Sequence, residues 1–320
     1  MNFRDDLNNR YWAYQRERFP EWQRYFERDK SADSRPPVFL KREEHRNVLS
    51  DPHAGSQGDE RLVTLIPKAE RHAWFRSMNS SQALAQSVLG NLAVFDQMVT
   101  LADMKDDEGS SLFGGAHLQA DTFSMEHQID YLGELSPRIT KLDALIAGQY
   151  RIAIECKFIE SEVGSCSRPR LTARDPNFEQ DHCDGTFSVQ RKRSERCSLT
   201  EAHIRYWEFI PRLFNWTADV DLAPCPLRMN YQLVRNILAA GVRPDGSVMT
   251  DAGHVILLYD ARNPAFGIGG DGLKAYEETR QALRQPSMLR KCSWQRIVDH
   301  LRGKSVLKWL TEELALKYGL

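Results

Sequence analysis

No apolar run in this 320-residue sequence approaches the roughly 18 residues that a membrane span needs, which argues against an integral membrane protein. Surplus charge is missing too: 43 lysines and arginines stand against 44 aspartates and glutamates. No global basic field therefore announces a nucleic-acid partner, and any such surface has to be local. Cysteine is scarce, six in the chain, and never in the Cys-x-x-Cys spacing of a zinc ribbon. The opening MNFRDDLNNRYWAYQRERF lacks the apolar stretch of a secretory signal, so a disulfide scaffold is not expected and a cytoplasmic location is. Gly-x-Ser-x-Gly, P-loop and His-Glu-x-x-His motifs do not occur, which removes the signatures of several other hydrolase classes. What remains, 41% apolar and 27% charged residues, is the make-up of an ordinary globular protein with enough chain to bury a core.

Three parts are expected along the chain. Residues 1–60 read as an N-terminal helix followed by a polar, Pro/Gly-containing linker. Helical spacing over 3–29 puts Leu7, Tyr11, Tyr14, Arg18, Trp22 and Tyr25 near one face. That face either packs on the body or, because Arg10, Arg16, Arg18 and Arg24 alternate with the rings, forms an arm contacting nucleic acid. Residues 61–270 read as the core, with a Cys/Arg-rich insertion at about 160–200. Within it, 80–99 is a helix with Ser80 or Ser81 as its cap. FSMEHQIDYLGEL is a strand ending near Gly133, and GHVILLYDA is a buried strand. LTEAHIRYWEFIPRLF reads as a helix ending before Pro211, and CPLRMNYQLVRNILAAG as another that stops at Gly241. Residues 271–320 are expected to add two helices, roughly 271–284 and 304–317, packed on the core.

The clearest local signal is a hairpin, TKLDALIAG and RIAIECKFIE, around Gly148 and Gln149. Period-two alternation puts Ile152, Ile154, Cys156 and Phe158 on one face of the second strand and Ala153, Glu155 and Lys157 on the other. Asp143 on the first strand and Glu155 on the second could converge on one Mg²⁺, which takes hard oxygen ligands and needs only one or two carboxylates. Lys157, on the face of Glu155, could orient an attacking water or steady a phosphate. The competing reading is an exposed Glu–Lys ion pair on a strand, which is common and worth little.

Several short motifs sit around this hairpin: SSQAL at 80–84, DYLGE at 130–134, GSCS at 164–167, RCSLT at 196–200, YW at 206–207, YQLVRN at 231–236 and ARNPAF at 261–266. In that order, with Asp143 and the Glu155-x-Lys157 element, the chain resembles the PD-(D/E)XK nuclease superfamily over roughly residues 70–265, and within it a group of prokaryotic restriction-endonuclease-like proteins. The resemblance implies an α/β fold with a restriction-endonuclease-like core, a mixed β-sheet flanked by helices in αβββαβ order, with helical additions at both ends. It implies a nuclease dependent on Mg²⁺ (or Mn²⁺), an endodeoxyribonuclease of restriction or antiphage-defence type, with DNA or else RNA as partner. Asp143 and Glu155 would be the metal ligands and Lys157 the catalytic cation. The alternative is a nucleic-acid-binding or scaffold module that keeps the fold without the chemistry. Two-strand cleavage with one site per chain would favour a homodimer, and the self-toxicity of a nuclease would make a defence-system partner that gates it useful. Some superfamily members add an acid from the first core helix, but the only acid in 80–99 is Asp96, near its end; Glu70, Glu126 and Glu134 are the other candidates. Helicase-linked branches carry a glutamine in the helix after the sheet core, and Gln232 fits that position, unless it is a solvated helix residue.

The insertion holds Cys166, Cys183 and Cys197 with His203 close by. Three thiols and an imidazole could close a structural Zn²⁺ site. An iron–sulfur cluster, with Cys225 as a fourth ligand, and plain reduced thiols are the alternatives. Arg168, Arg170, Arg191, Lys192 and Arg193 form a basic stretch beside the expected metal site, where phosphates would be drawn unless the loop is merely solvated.

Overall fold

The two β-rich runs pair as their alternation predicts. In a computed structural model that describes residues 2–28, 35–53, 55–114, 118–119, 122–134, 139–166, 197–216 and 224–320, β1 spans Phe123–Ile129, β2 Thr140–Ile146 and β3 Arg151–Cys156. β1 pairs antiparallel with β2, and β2 antiparallel with β3. β4, Gly253–Tyr259, runs parallel to β3, and β5, Leu289–Ser293, parallel to β4. The sheet is therefore mixed, in the order β1-β2-β3-β4-β5. β5 falls where only helices were expected. LRKCS is short and carries Arg290 and Lys291 in its middle, so periodicity is silent there, and pairing with β4 makes it a strand.

Both faces of the sheet are covered, by two separate cores. Ile152, Ile154 and Cys156 join Ile256, Leu258 and Cys292 in the first, where they meet Leu84, Val88, Leu310 and Leu314. Ala153, Leu145, Val255 and Leu257 join the second, against Phe209, Leu233 and Ile237. Burial of such aliphatic side chains contributes about 1.5–3 kcal/mol each. Glu155 and Lys157 thus do not look out from a one-sided sheet. They sit where a helix covers it.

That helix belongs to the set that frames the sheet, taken in chain order and leaving aside the single turn Ser198–Glu201. α1 spans Phe3–Arg18, α2 Gly55–Thr64, α3 Ser81–Ala85, α4 Asn91–Val94 and α5 Tyr206–Leu213. α6 spans Leu227–Gly241, α7 Asp271–Ala282, α8 Trp294–Gly303 and α9 Lys308–Tyr318. α6 lies over β3 and β4. A π-turn, Gln86–Gly90, joins α3 to α4, and the Ser80 hydroxyl caps α3 by accepting from Ala83 N at 3.1 Å. The run closes at Val94, so Asp96, with φ +56°, lies outside the helix it was expected to end.

Other expectations are corrected. α1 ends at Arg18 instead of reaching residue 29, because Pro20 cannot continue it and disfavours helix at Phe19; Trp22 belongs to a separate 3-10 turn. α1 packs on α9, with the Tyr11 and Tyr318 rings edge to face. Its cations Arg10 and Arg18 are taken up by Asp6 and Glu313, as the packing alternative requires. Pro211 lies inside α5 rather than beyond its end. The segment expected as a linker contributes Phe39, Val48 and Leu49 to the first core. It is tied to α9 by Lys317, whose wholly buried Nζ donates to Asn47 O at 2.6 Å and to Asn47 Oδ1 at 3.0 Å. Among the described residues no helix is long and apolar enough to cross a membrane.

Candidate active site

The β2–β3 register pairs Ala144 with Ile154, so the next pair along the ladder is Asp143 with Glu155. Cys156 N donates to Asp143 Oδ2 at 2.6 Å and fixes the aspartate at the end of β3. On the other side of β2, Met125 pairs with Ala144 and His127 with Leu142, so Glu126 comes abreast of Asp143. Three carboxylates, Glu126, Asp143 and Glu155, therefore lie in a row across β1, β2 and β3. Glu126 reaches that place in a left-handed backbone conformation, φ +48°, which costs a non-glycine residue on the order of 1–2 kcal/mol. Such local strain is characteristic of functional sites.

Of the candidates for an extra acid, the other two are engaged elsewhere. Glu134 accepts from Tyr206 and, at 3.1 Å, from Tyr231. Glu70 pairs with Lys141 and accepts from Gln128 at 3.2 Å. The first core helix offers no acid but Gln82, from the SSQAL motif, which hydrogen-bonds Glu126.

Glu155 and Lys157 form a buried pair, not the exposed one that a lone Glu-x-Lys suggests. Glu155 is 1% and Lys157 7% exposed, with Lys157 Nζ 2.6 Å from Glu155 Oε1. Two charges taken out of water need additional hydrogen bonds to persist, and α6 supplies them. Gln232, Arg235 and Asn236 stand three and four residues apart, hence on one face of the helix. Gln232 Oε1 accepts from Lys157 Nζ at 2.8 Å. Asn236 Nδ2 donates to Glu155 Oε2 at 2.6 Å, with Arg235 Nη2 at 4.0 Å from the same oxygen. The close seat of Gln232 depends on Gly164, where a Cβ would come within 2.0 Å of Gln232 Oε1. The sequence singled out Gln232, which the structure places on Lys157, but not Arg235 or Asn236. The available signal was three polar residues at helical spacing within an otherwise apolar run.

The backbone around Lys157 is held from three sides. Lys157 N donates to Leu258 O at 2.7 Å, and Trp294 Nε1 donates to Lys157 O at 3.0 Å. Asn263, from ARNPAF, donates its Nδ2 to Phe158 O at 2.8 Å and Glu160 O at 2.9 Å.

The electrostatics divide the row. Burial opposes ionisation of Glu155, but Lys157, Arg235 and Asn236 outweigh it and hold the carboxyl below its ordinary value. Burial likewise works against the Lys157 ammonium, and Glu155, Asp143 and Glu160 hold it charged above the usual lysine range. Asp143 goes the other way. Burial, then Glu155 and Glu126, push its carboxyl well up against the pull of Lys157. Burial, helped by Glu155 and Glu70, pushes Glu126 up to about 7. On the Glu126–Asp143 side the pull of Lys141 and Lys157 therefore does not offset burial and the neighbouring carboxyls, and both acids remain partly accessible. A hard divalent cation is the complement such oxygen donors fit. Among the described residues no three His, Cys, Asp or Glu side chains close a metal cage, but Mg²⁺ keeps several waters and does not need one.

The remaining predicted residues divide in two. Cys183, Arg168, Arg170, Arg191, Lys192 and Arg193 lie outside the described residues. Cys166, Cys197 and Cys225 are brought into the same apolar cluster, whereas the His203 side chain is exposed.

Searches of curated proteins and of solved structures return no match. The family described as restriction endonuclease associating with ARP matches residues 25–319, nearly the whole chain. Together with the mixed sheet flanked by helices, this is decisive: the chain belongs to that restriction-endonuclease-like family.

Proposed function

We propose that the protein is a metal-dependent endonuclease of DNA, of restriction or defence type, with a PD-(D/E)XK centre at Asp143, Glu155 and Lys157. The observation that carries the reading is the buried Glu155–Lys157 pair set beside Asp143 on the central strands. Asp143 and Glu155 would hold Mg²⁺ or Mn²⁺. Bound there, the ion supplies polarisation of a water and neutralisation of charge on the phosphate.

The chain's own residues do the rest. Lys157 keeps its proton because Glu155 and Asp143 face it, so it serves as a fixed cation for the attacking water or the phosphate. Gln232 is a positioning residue that holds the ammonium nitrogen in place. Asn236 and Arg235 engage Glu155 Oε2 and fix the orientation of that carboxylate. Arg168, Arg170, Arg191, Lys192 and Arg193 would meet phosphates. Cys166, Cys183, Cys197 and His203 remain our candidates for structural Zn²⁺, with an iron–sulfur cluster the alternative. A cytoplasmic enzyme of this kind endangers its own cell, so the ARP of the family description is proposed as the partner that gates it; cleavage of both strands would suit a homodimer.

The test is cleavage of DNA with Mg²⁺ or Mn²⁺, its loss in EDTA, and a fall of roughly 100-fold or more in Lys157→Ala. Metal-replete protein that cuts neither DNA nor RNA would sink the proposal. Salt-dependent binding without cleavage, indifferent to Asp143→Ala, would replace it by the scaffold alternative.

A further inference from the structure

A cleft of about 1150 Å³ opens beside the candidate centre, and Lys157 and Gln232 both line it. Its opposite wall comes from the N-terminal part of the chain, through Arg4, Trp12, Arg28, Arg35, Trp74 and Arg76. Trp74 is 65% exposed, the most exposed aromatic among the described residues. Trp12 is tied in place by its indole N–H, which donates to Arg35 O at 2.9 Å. Arg4 braces the wall against the loop after β3 by donating to Ile159 O at 3.2 Å. The acids of the lining are partly occupied: Glu27 pairs with Arg76, Glu160 Oε2 accepts from Phe158 N at 2.5 Å, and Glu162 accepts from the Ser165 hydroxyl at 3.3 Å. Arg28 and Arg35 stay exposed.

We propose that this cleft seats an unpaired DNA strand, with bases stacked on Trp74 and Trp12, phosphates met by Arg4, Arg28 and Arg35, and the strand leading to Lys157. The inference rests on the nuclease reading only for the reacting phosphate at Lys157. Cations interleaved with aromatic faces form the binding surface that single strands use, because every base offers a ring face once it leaves the duplex. Size argues the same way. The volume is on the scale of pockets that enclose one small ligand, which suits a few nucleotides of one strand and not a duplex. Bases within a duplex are already stacked and have no free face for an indole.

Binding in EDTA separates this inference from cleavage. A labelled oligothymidylate, an oligouridylate and a blunt duplex of equal length are titrated by fluorescence anisotropy with the full chain. The parent should prefer oligothymidylate over the duplex, and Trp74→Ala should weaken that binding roughly 5- to 150-fold. Arg28→Gln should lower the salt slope by about 0.7. Thermal unfolding of Trp74→Ala at the parental midpoint would show that the loss is not misfolding, as expected for a side chain outside the core. The proposal is overturned if Trp74→Ala binds oligothymidylate like the parent, if the duplex binds as tightly, or if oligouridylate is preferred. Should the Trp74 effect appear while no variant cleaves DNA, the strand site stands and the nuclease reading fails.

Discussion

Lys157→Met would leave the Glu155 carboxylate, 1% exposed, without the ammonium that lies 2.6 Å from it. Removing one partner of a buried ion pair costs about 3–5 kcal/mol, because the remaining charge stays desolvated. Asn236 at 2.6 Å and Arg235 at 4.0 Å still attend the carboxylate, which places the expected cost near the lower end, about 3 kcal/mol. The unfolding entropy of globular proteins, about 2 cal/mol/K per residue, amounts to about 0.7 kcal/mol/K over 320 residues. The thermal midpoint in EDTA should therefore fall by about 4–5 °C. Glu155→Gln combined with Lys157→Met removes both charges and keeps an oxygen for Asn236, so the double variant should be more stable than Lys157→Met alone. Circular dichroism melts of the parent, both singles and the double complete the cycle. A parental midpoint for Lys157→Met, or a double variant that loses the sum of the two singles, would refute the claim that the pair is buried and coupled.

Three further outcomes follow from particular contacts. Gly164→Ala should lower stability by more than about 1 kcal/mol, since φ is +109° there and the added carbon meets Gln232; cleavage should fall with it as Gln232 leaves Lys157, and unchanged melting would contradict the geometry. Asn263→Ala leaves the carbonyls of Phe158 and Glu160 without their donor, at an expected cost of about 1–3 kcal/mol in urea unfolding. Lys317, whose pKa burial lowers to about 7, loses its proton in the folded state well before the unfolded chain does. Its contribution to stability is present above the ordinary lysine range and is lost as pH falls toward about 7. The unfolding free energy from urea titrations should accordingly rise between pH 7 and 10 by on the order of 1 kcal/mol per pH unit from this group, and Lys317→Met should flatten that rise.

Local chemistry made part of this protein legible in advance. Period-two alternation assigned Glu155 and Lys157 to one face of β3, the continuous apolar run GHVILLY marked β4 as a strand buried on both sides, and Ser80 marked the start of α3. Those features depend on residues a few positions apart, so a linear pattern contains them. Pro20 and Pro211 show the limit of such patterns: one proline ended a helix and the other sits within one. The candidate centre itself was only half readable. Asp143 reaches Glu155 through strand register, Glu126 joins the row through a left-handed residue, and Gln232, Arg235 and Asn236 arrive from a helix some eighty residues along the chain. β5 exists because β4 offers it an edge, and the Trp12–Trp74 cleft because the N-terminal segment folds back over the loop after β3. Sequence by itself determined which residues could do chemistry and which faces they occupy. Only the tertiary structure decided which of them meet and how deeply they are buried, because both depend on contacts between segments far apart in the chain.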